Sequence, residues 1–464
     1  MILSISNIKK TVNYFKNNGM TDTVYAAAER IKEKKKSKYT YTEPTEGELL
    51  SQRNESDSFM YRPLISIAVP TYETRPVFLE DMLLSCEEQS YTNFEIVIAD
   101  ASKTDFVERI VKDYNKQYGN IIYKRIGSND GIAENTNRAI AMCNGDYIGL
   151  LDHDDMLTRD CLYYMVKAIV DCKKRFGDPV FAYSDEDKTD EYAEHFYEPH
   201  IKERPDGQLI MSNNYICHFS VFREDVIRNL KMRGAYDGAQ DYDLILRSFE
   251  YAKEKHGDDY RHFILHVPHV CYHWRCHSES TAASTTAKEY AYENGRKALE
   301  EDVKKENPGA TVSNLKHKGF YRVDYDTDIF TACPKVVAVG GPVIRNGHIV
   351  GGLTDRKGRV KYDGLNTHFS GYMHGAVLKH EADVLDIRNM VIRPEYEELF
   401  KQETGYSYPL DEDVRTSEKD GEMVRKSIAF CNKLKQKGIE LMYDPQFDCR
   451  EYLNSGSDAK EETE

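Results

Sequence analysis

The sequence predicts an α/β protein built on a mainly parallel sheet flanked by helices. Two observations carry this reading. From Leu64 to Asp185, short runs rich in Ile, Val, Tyr and Phe alternate with longer stretches of helical period, the pattern of a parallel sheet covered on both faces. The runs also end in polar residues: Thr71, Tyr72 and Glu73 after the first, Asp100 after the second, Asp152 to Asp155 after the fourth and Asp185 to Asp187 after the fifth. Ligands on such sheets bind at the carboxyl ends of the strands, so this polar edge marks a candidate site.

Taken in order, "LISIAVP" (64–70), "FEIVIAD" (94–100), "IIYKRI" (121–126), "DYIGLLD" (146–152) and "VFAYSD" (180–185) read as strands, with helices near 77–89, 105–118, 131–143 and 158–173 between them. Ahead of them, residues 1–60 read as an N-terminal helical extension, "IKKTVNYFKNNGMTDTVYAAAERIKEKKKSK", followed by a polar link, "YTEPTEGELLSQRNESDS", rich in turn formers and charge. Residues 61–305 hold the sheet. The turn-rich "KENPGATVSN" then marks a boundary to a C-terminal α/β accessory domain over 306–455, with strand-like "KVVAVGG" and "IELMYDP", the Gly-rich "GHIVGGLTDRKGRV" and a helix near 421–437. The polar tail, 456–464, is predicted to be disordered.

Composition narrows the setting. A chain of 464 residues, 40% of them hydrophobic, can bury a sizeable core. With 63 Lys plus Arg against 78 Asp plus Glu, its net charge of -15 argues against a nucleic-acid partner. Ten cysteines without a C-x-x-C pair, and an N-terminus "MILSISNIKK" without a long apolar core, predict reduced thiols in a cytoplasm. No apolar run approaches the ~20 residues a spanning helix needs. The basic run "RIKEKKKSK" suits peripheral contact with the inner face of the cell membrane, and it equally suits a solvated helix end.

Three carboxylates at one strand end raise one another's pKa unless a cation neutralises them. Mg²⁺ or Mn²⁺ does so while keeping only one or two protein carboxylates and taking phosphate oxygens for the rest, so the aspartates of "LLDHDDML" read as a diphosphate and metal site. The alternative is helix capping by Asp154 or Asp155. In "GAQDYDLILR" (238–247), Asp241 and Asp243 precede a helical pattern; either is a candidate general base or an N-cap. In "VCYHWRCHSESTA" (270–282), His273 can complete a metal shell and Arg275 can fork onto phosphate, while a core histidine is the default for any single His. Cys271 and Cys276 lack the spacing of a zinc finger.

The ordered set "ISIAVPTYE", "FEIVIADAS", "NDGIAENTNRAIAMCNGDYIGLLDHDDML", "AYSDED", "NYICHFSVFRED", "GAQDYDLILR" and "VPHVCYHWRCHSESTA" resembles family 2 glycosyltransferases of GT-A fold, particularly bacterial members that build rhamnose-rich or other cell-surface polysaccharides, over residues 62–285. The resemblance implies that Pro70, Thr71, Tyr72 and Glu73 border the nucleotide and that Asp100 contacts its base or ribose. It implies a D-x-D of Asp152 and Asp154 for ribose and metal, a late metal ligand at His273, and a catalytic base at Asp241. Asn135, His153, Arg275 and His277 join the implied nucleotide-sugar contacts. The chain departs from the family in having a single acid after the second strand and Gln240 where many members carry Glu. Residues 335–450 resemble the later part of a second transferase unit.

The expectation is thus an inverting, Mn²⁺- or Mg²⁺-dependent transferase that moves a sugar from a UDP- or dTDP-sugar to a growing polysaccharide, glycolipid or lipid-linked glycan, among other polysaccharide-assembly enzymes. Two alternatives stand beside it. One is a nucleotidyltransferase, for which no Gly- and Lys-rich triphosphate loop follows the first strand. The other is a non-catalytic carbohydrate-binding or assembly protein on a degenerate transferase fold.

Overall fold

The computed structural model describes residues 14–15, 19–31, 39–277, 285–435 and 439–454. The chain divides into two compact units, one formed by 39–205 with 214–306 and the other by 1–38, 206–213 and 307–464.

The first unit is α/β, with a mainly parallel sheet flanked by helices as the alternation predicts. Its strands are β1 (Ile65–Thr71), β2 (Phe94–Asp100), β3 (Ile121–Arg125), β4 (Tyr147–Leu150), β5 (Met156–Leu157), β6 (Phe181–Thr189), β7 (Phe196–His200), β8 (Ser220–Arg223) and β9 (Ile264–Arg275). They lie in the order β3-β2-β1-β4-β8-β6-β9-β5, with β7 on β6. β3, β2, β1 and β4 run parallel, as do β6 and β9. Ile65, Ile67, Val69, Ile96 and Ile98 are fully buried against Leu79, Leu83, Met165 and Val166, which is why these central strands read as near-continuous apolar runs. The β1 ladder to β4 ends at Ala68 opposite Leu150, so Pro70 falls where β1 has no β4 partner.

The sequence reading passed over three strands. β5 has two residues, and β7 and β8 lie in segments without clear alternation. β8 matters most, because it inserts between β4 and β6 and runs antiparallel to both. That insertion places the segment before β8 beside the end of β4.

The polar link expected over 41–58 contains a regular helix, Glu46–Asp57. Thr45 accepts from the Glu48 amide and the Glu48 carboxylate accepts from the Thr45 amide, a capping box that starts it. Leu49 and Gln52 are buried, Ser90 donates to Gln52, and Glu55 meets Tyr163 and Lys167 on the helix Cys161–Arg175. This segment belongs to the sheet unit.

The second unit has a four-stranded sheet in which Val336–Gly340 runs parallel to Glu440–Tyr443 and antiparallel to Met390–Ile392. Its core includes Val337, Leu385, Phe400, Phe430 and Leu441. Residues 19–31 are helical, and Glu29 accepts from the Ser370 and Gly371 amides of the same unit. Residues 32–38, most of the basic run, and the tail 456–464 lie outside the described residues. Among the described residues no helix is long and apolar enough to cross a membrane.

Entry into β4 is tight. A methyl group on Gly145 would lie 2.6 Å from the Ser66 amide nitrogen and 2.7 Å from the Leu64 carbonyl oxygen, both backbone atoms of the β1 region that cannot swing aside. Gly145→Ala is therefore expected to lower stability by roughly 1–3 kcal/mol, read as a lower urea midpoint; an unchanged midpoint would show that the turn accepts a side chain.

Candidate functional site

The four residues after Leu151 divide into different roles. Asp155 is 1% exposed; its Oδ2 accepts from the Tyr272 hydroxyl at 2.5 Å and its Oδ1 from the Arg275 amide at 2.7 Å, both on β9. Burial, then the like charges of Asp154 and Asp152, push its carboxyl well above the usual range. Asp155 is a structural acceptor that ties the strand-end turn to β9. Asp152 and Asp154 stay open on the other side of that turn, with 46% and 21% of their side chains exposed. Burial raises the Asp152 carboxyl, opposed by the nearby His218 and helped by the like charge of Asp154. Burial works the same way on Asp154, but the His277 hydrogen bond and the His153 and His277 charges outweigh it and lower that group.

Two expectations on β9 need correction. His273, expected at the metal, is a buried core histidine. Its Nδ1 sits 2.5 Å from Asp187 Oδ1, its ring packs between Tyr41 and Phe196, and Tyr39 donates to the other Asp187 oxygen. The pleat explains this, since Tyr272 points to Asp155 and its neighbour must point to the opposite face. His277, just past the strand, comes to the aspartates instead, with Nε2 2.8 Å from Asp154 Oδ2. Arg275, expected to fork onto phosphate, is already engaged. Nε donates to the Asp154 carbonyl (2.7 Å), Nη1 to the Glu191 carbonyl (2.8 Å) and Nη2 to Asp81 (2.8 Å), over the face of Phe78. Arg275 holds the turn that carries Asp154.

The two candidate bases also separate. Asp241 lies in the first turn of Gln240–His256, whose N-cap is Ala239 without a side-chain capping bond, so Asp241 does not cap this helix. Its Oδ2 accepts from Asn214 Nδ2 at 3.1 Å. Asp243 is buried and gripped by Arg233 and Arg247, with Arg247 Nη2 at 2.6 Å. Gln240 turns back to accept from the Gly238 amide. Pro70, Leu151, Asp152, His218, Ser220 and Asp241 share the lining of one pocket.

At the ends of β1 to β3, Asp100 is fully buried and its oxygens accept from Thr71 (3.0 Å), the Ser102 amide (2.9 Å) and Tyr123 (2.7 Å). It organises the ends of β1, β2 and β3. Glu73, at φ +48°, accepts from the Lys103 amide and the Thr104 hydroxyl, each at 2.7 Å, and these bonds lower its carboxyl. Tyr72 presents its ring, 40% exposed. Asn135 is buried; its amide donates to Asn129, and its Oδ1 meets no donor among the described residues. His153 Nδ1 lies 3.9 Å from Asp154.

Sequence reasoning missed Asn214, His218 and Glu186, though all three lie in quoted motifs. Among the described residues no group of three or more His, Cys, Asp or Glu side chains is arranged to hold a metal ion. Asp154 and His277 are a donor pair in contact, with Asp152 two residues away in the chain, so a cation here would take most of its ligands from phosphate and water.

Residues 66–231 match the family model described as glycosyl transferase family 2. The chain is 37% identical over 243 residues to the uncharacterized protein y4gI of Sinorhizobium fredii, covering 52% of this chain and 25% of that one. It is 29% identical over 257 residues to the O-antigen biosynthesis protein RfbC of Myxococcus xanthus, covering 54% and 19%. The match thus spans a quarter or less of those relatives' length. The structure of S. aureus TarS 1-349 in complex with UDP-GlcNAc aligns with 52% of this chain and 66% of its own at 14% identity and a TM-score of 0.41, too loose to carry an argument.

The division among the aspartates has a direct consequence for folding. Asp155→Ala is expected to orphan two buried donors at roughly 1–3 kcal/mol each and lower the melting temperature well below that of Asp154→Ala. Equal melting temperatures would show that Asp155 does not anchor the turn.

Proposed function

The chain belongs to glycosyl transferase family 2 through residues 66–231, and from that premise we propose that the sheet unit transfers a sugar, with inversion, from a nucleotide-diphosphate donor to a hydroxyl of a cell-surface polysaccharide or glycolipid acceptor. The observation that carries this is the separation of the acids. Asp155 and Asp243 are spent on structure, while Asp152 and Asp241 line the pocket at the carboxyl edge of the sheet and Asp154 stands beside Asp152, with no arginine side chain clamping any of the three among the described residues. The resemblance to an O-antigen biosynthesis protein supports the choice of acceptor class, and the acidic net charge of -15 disfavours a nucleic acid in its place.

Asp154, His277 and Asp152 would hold Mn²⁺ or Mg²⁺, which when bound supplies positive charge to the leaving diphosphate. The exposed ring of Tyr72 offers a stacking surface for the base of a UDP- or dTDP-sugar, on loops that Glu73 and Asp100 hold together. Asn214 keeps the Asp241 carboxylate oriented by one oxygen. Asp241 takes the acceptor hydroxyl proton as that oxygen bonds to the anomeric carbon, and the bond from that carbon to the diphosphate oxygen breaks on the opposite face. A single displacement inverts the anomeric configuration. Peripheral attachment to a membrane and association with other polysaccharide-assembly enzymes belong to the same reading.

Two variants test it. Asp154→Ala is expected to lose metal-dependent nucleotide-sugar binding while keeping its fold, so retained metal-dependent micromolar affinity would sink the metal assignment. Asp241→Asn keeps the size and the Asn214 contact but cannot accept a proton. Its turnover should fall ~10²-fold or more with donor affinity unchanged, measured as kcat for transfer to a competent acceptor beside donor titration. Wild-type turnover in the folded variant would remove Asp241 as the base.

A further inference from the structure

His218 faces the pocket with one nitrogen and the core with the other. Its Nδ1 lies 3.2 Å from Glu186 Oε2, and its backbone amide donates to the same oxygen. Glu186 is buried, and Lys202 Nζ (3.4 Å) and His200 Nδ1 (3.3 Å) share its carboxylate. Lys202, itself buried, donates to the Ile216 carbonyl at 2.8 Å and to the His218 carbonyl, so the peptide on both sides of Cys217 is fastened. The imidazole stacks on Tyr272 at 4.8 Å and 15°, and Asp155 fixes Tyr272. Ring plane, tautomer and backbone are therefore set from the core side, because a carboxylate can only accept and Nδ1 must donate to it.

The outer nitrogen is different. Nε2 makes no hydrogen bond among the described residues; its nearest partner, Asp152 Oδ2, is 3.9 Å away, outside bonding range. A quarter of the side chain (25%) is open, on the pocket that Asp152 and Asp241 also line. Such a fixed ring with a free outer nitrogen is costly to build for stability alone, since any donor to Glu186 would serve the core.

We propose that His218 is a further substrate-binding residue of this site, its Nε2 bonding an oxygen of the nucleotide sugar beside Asp152. The inference rests on the transferase reading above. The oxygen belongs either to a hydroxyl of the transferred sugar, which can donate to Nε2 of the neutral ring, or to the diphosphate, which only accepts and so bonds the N–H that Nε2 carries in the imidazolium.

Two substitutions separate this role from a structural one, because each keeps one nitrogen. His218→Asn places its amide near the position of Nδ1, preserving the bond to Glu186 and removing the outer nitrogen. His218→Gln reaches the position of Nε2 and gives up the inner bond. With the whole chain and Mn²⁺, UDP, dTDP and GDP and their glucose conjugates are titrated against wild type and both variants, with melting temperatures alongside. The proposal expects Asn to keep its melting temperature but bind about 10-fold or more weakly, and Gln to recover part of the loss. Weakening already seen with the nucleoside diphosphate alone assigns the diphosphate; weakening seen only with the conjugate assigns the sugar hydroxyl. Wild-type affinity for both in the Asn variant overturns the proposal, as does a folded Gln variant no better than Asn. Should Asn fail to fold, Gln decides alone, and complete loss of binding in folded Gln protein overturns it. A wild type that binds none of the probes overturns the transferase reading and this inference together, whereas a binding wild type with an unaffected Asn variant overturns only this one.

Discussion

The buried carboxylate of Asp155 is the tie on which the site depends. It takes the Tyr272 hydroxyl and the Arg275 amide, so the turn after β4 is bonded to β9, a strand far off in the sheet order. Arg275 closes the same tie from the other side by donating to the Asp154 carbonyl. With both ends held, Asp152 and Asp154 can face solvent at short range without the turn opening to relieve their repulsion. Nature's usual remedies for clustered carboxylates, neutralisation by protons or by cations, then fall to different members. Asp155 is pushed toward its protonated form, and Asp154 is kept ionised by its histidines.

The same sorting recurs at the start of Gln240–His256. Arg233 and Arg247 neutralise Asp243, and Asp241, two residues earlier, meets the Asn214 amide and the Cys217 thiol. The segment just before β8 serves both places. It supplies Asn214 to Asp241 and His218 to the neighbourhood of Asp152, and it is itself fastened by Lys202 and Glu186. An antiparallel strand inserted into a parallel sheet is what brings that segment to the carboxyl edge.

Periodicity made the first four strands and the polar edge legible, because buried parallel strands are apolar along their length and end abruptly where the loops begin. It could not show β8, whose four residues pair through long-range contacts that leave no local pattern. The helix Glu46–Asp57 was legible in principle, since Thr45 and Glu48 spell a capping box, but a weakly amphipathic, charge-rich segment hides it from any search for an apolar stripe. At the site, residue types alone do not give direction. His273 and His277 are both plausible ligands as letters, and only the pleat of β9, with the end of the strand at Arg275, sends one to the core and the other to Asp154. Asp243 and Arg275 look functional for the same reason, until their partners are known.

The claim at the centre of this account is that the open pair of acids, with His277, forms a cation-dependent nucleotide-sugar site. Thermal unfolding of the purified chain against UDP-, dTDP- and GDP-sugars, each with Mn²⁺ and with chelator, tests it most directly, since a ligand at a hundred times its Kd stabilises the native state by about 2.7 kcal/mol. The account predicts that one nucleotide series raises the melting temperature with Mn²⁺ and that chelator removes the rise. A well-folded chain that none of these donors stabilises, or one stabilised equally in chelator, would contradict it.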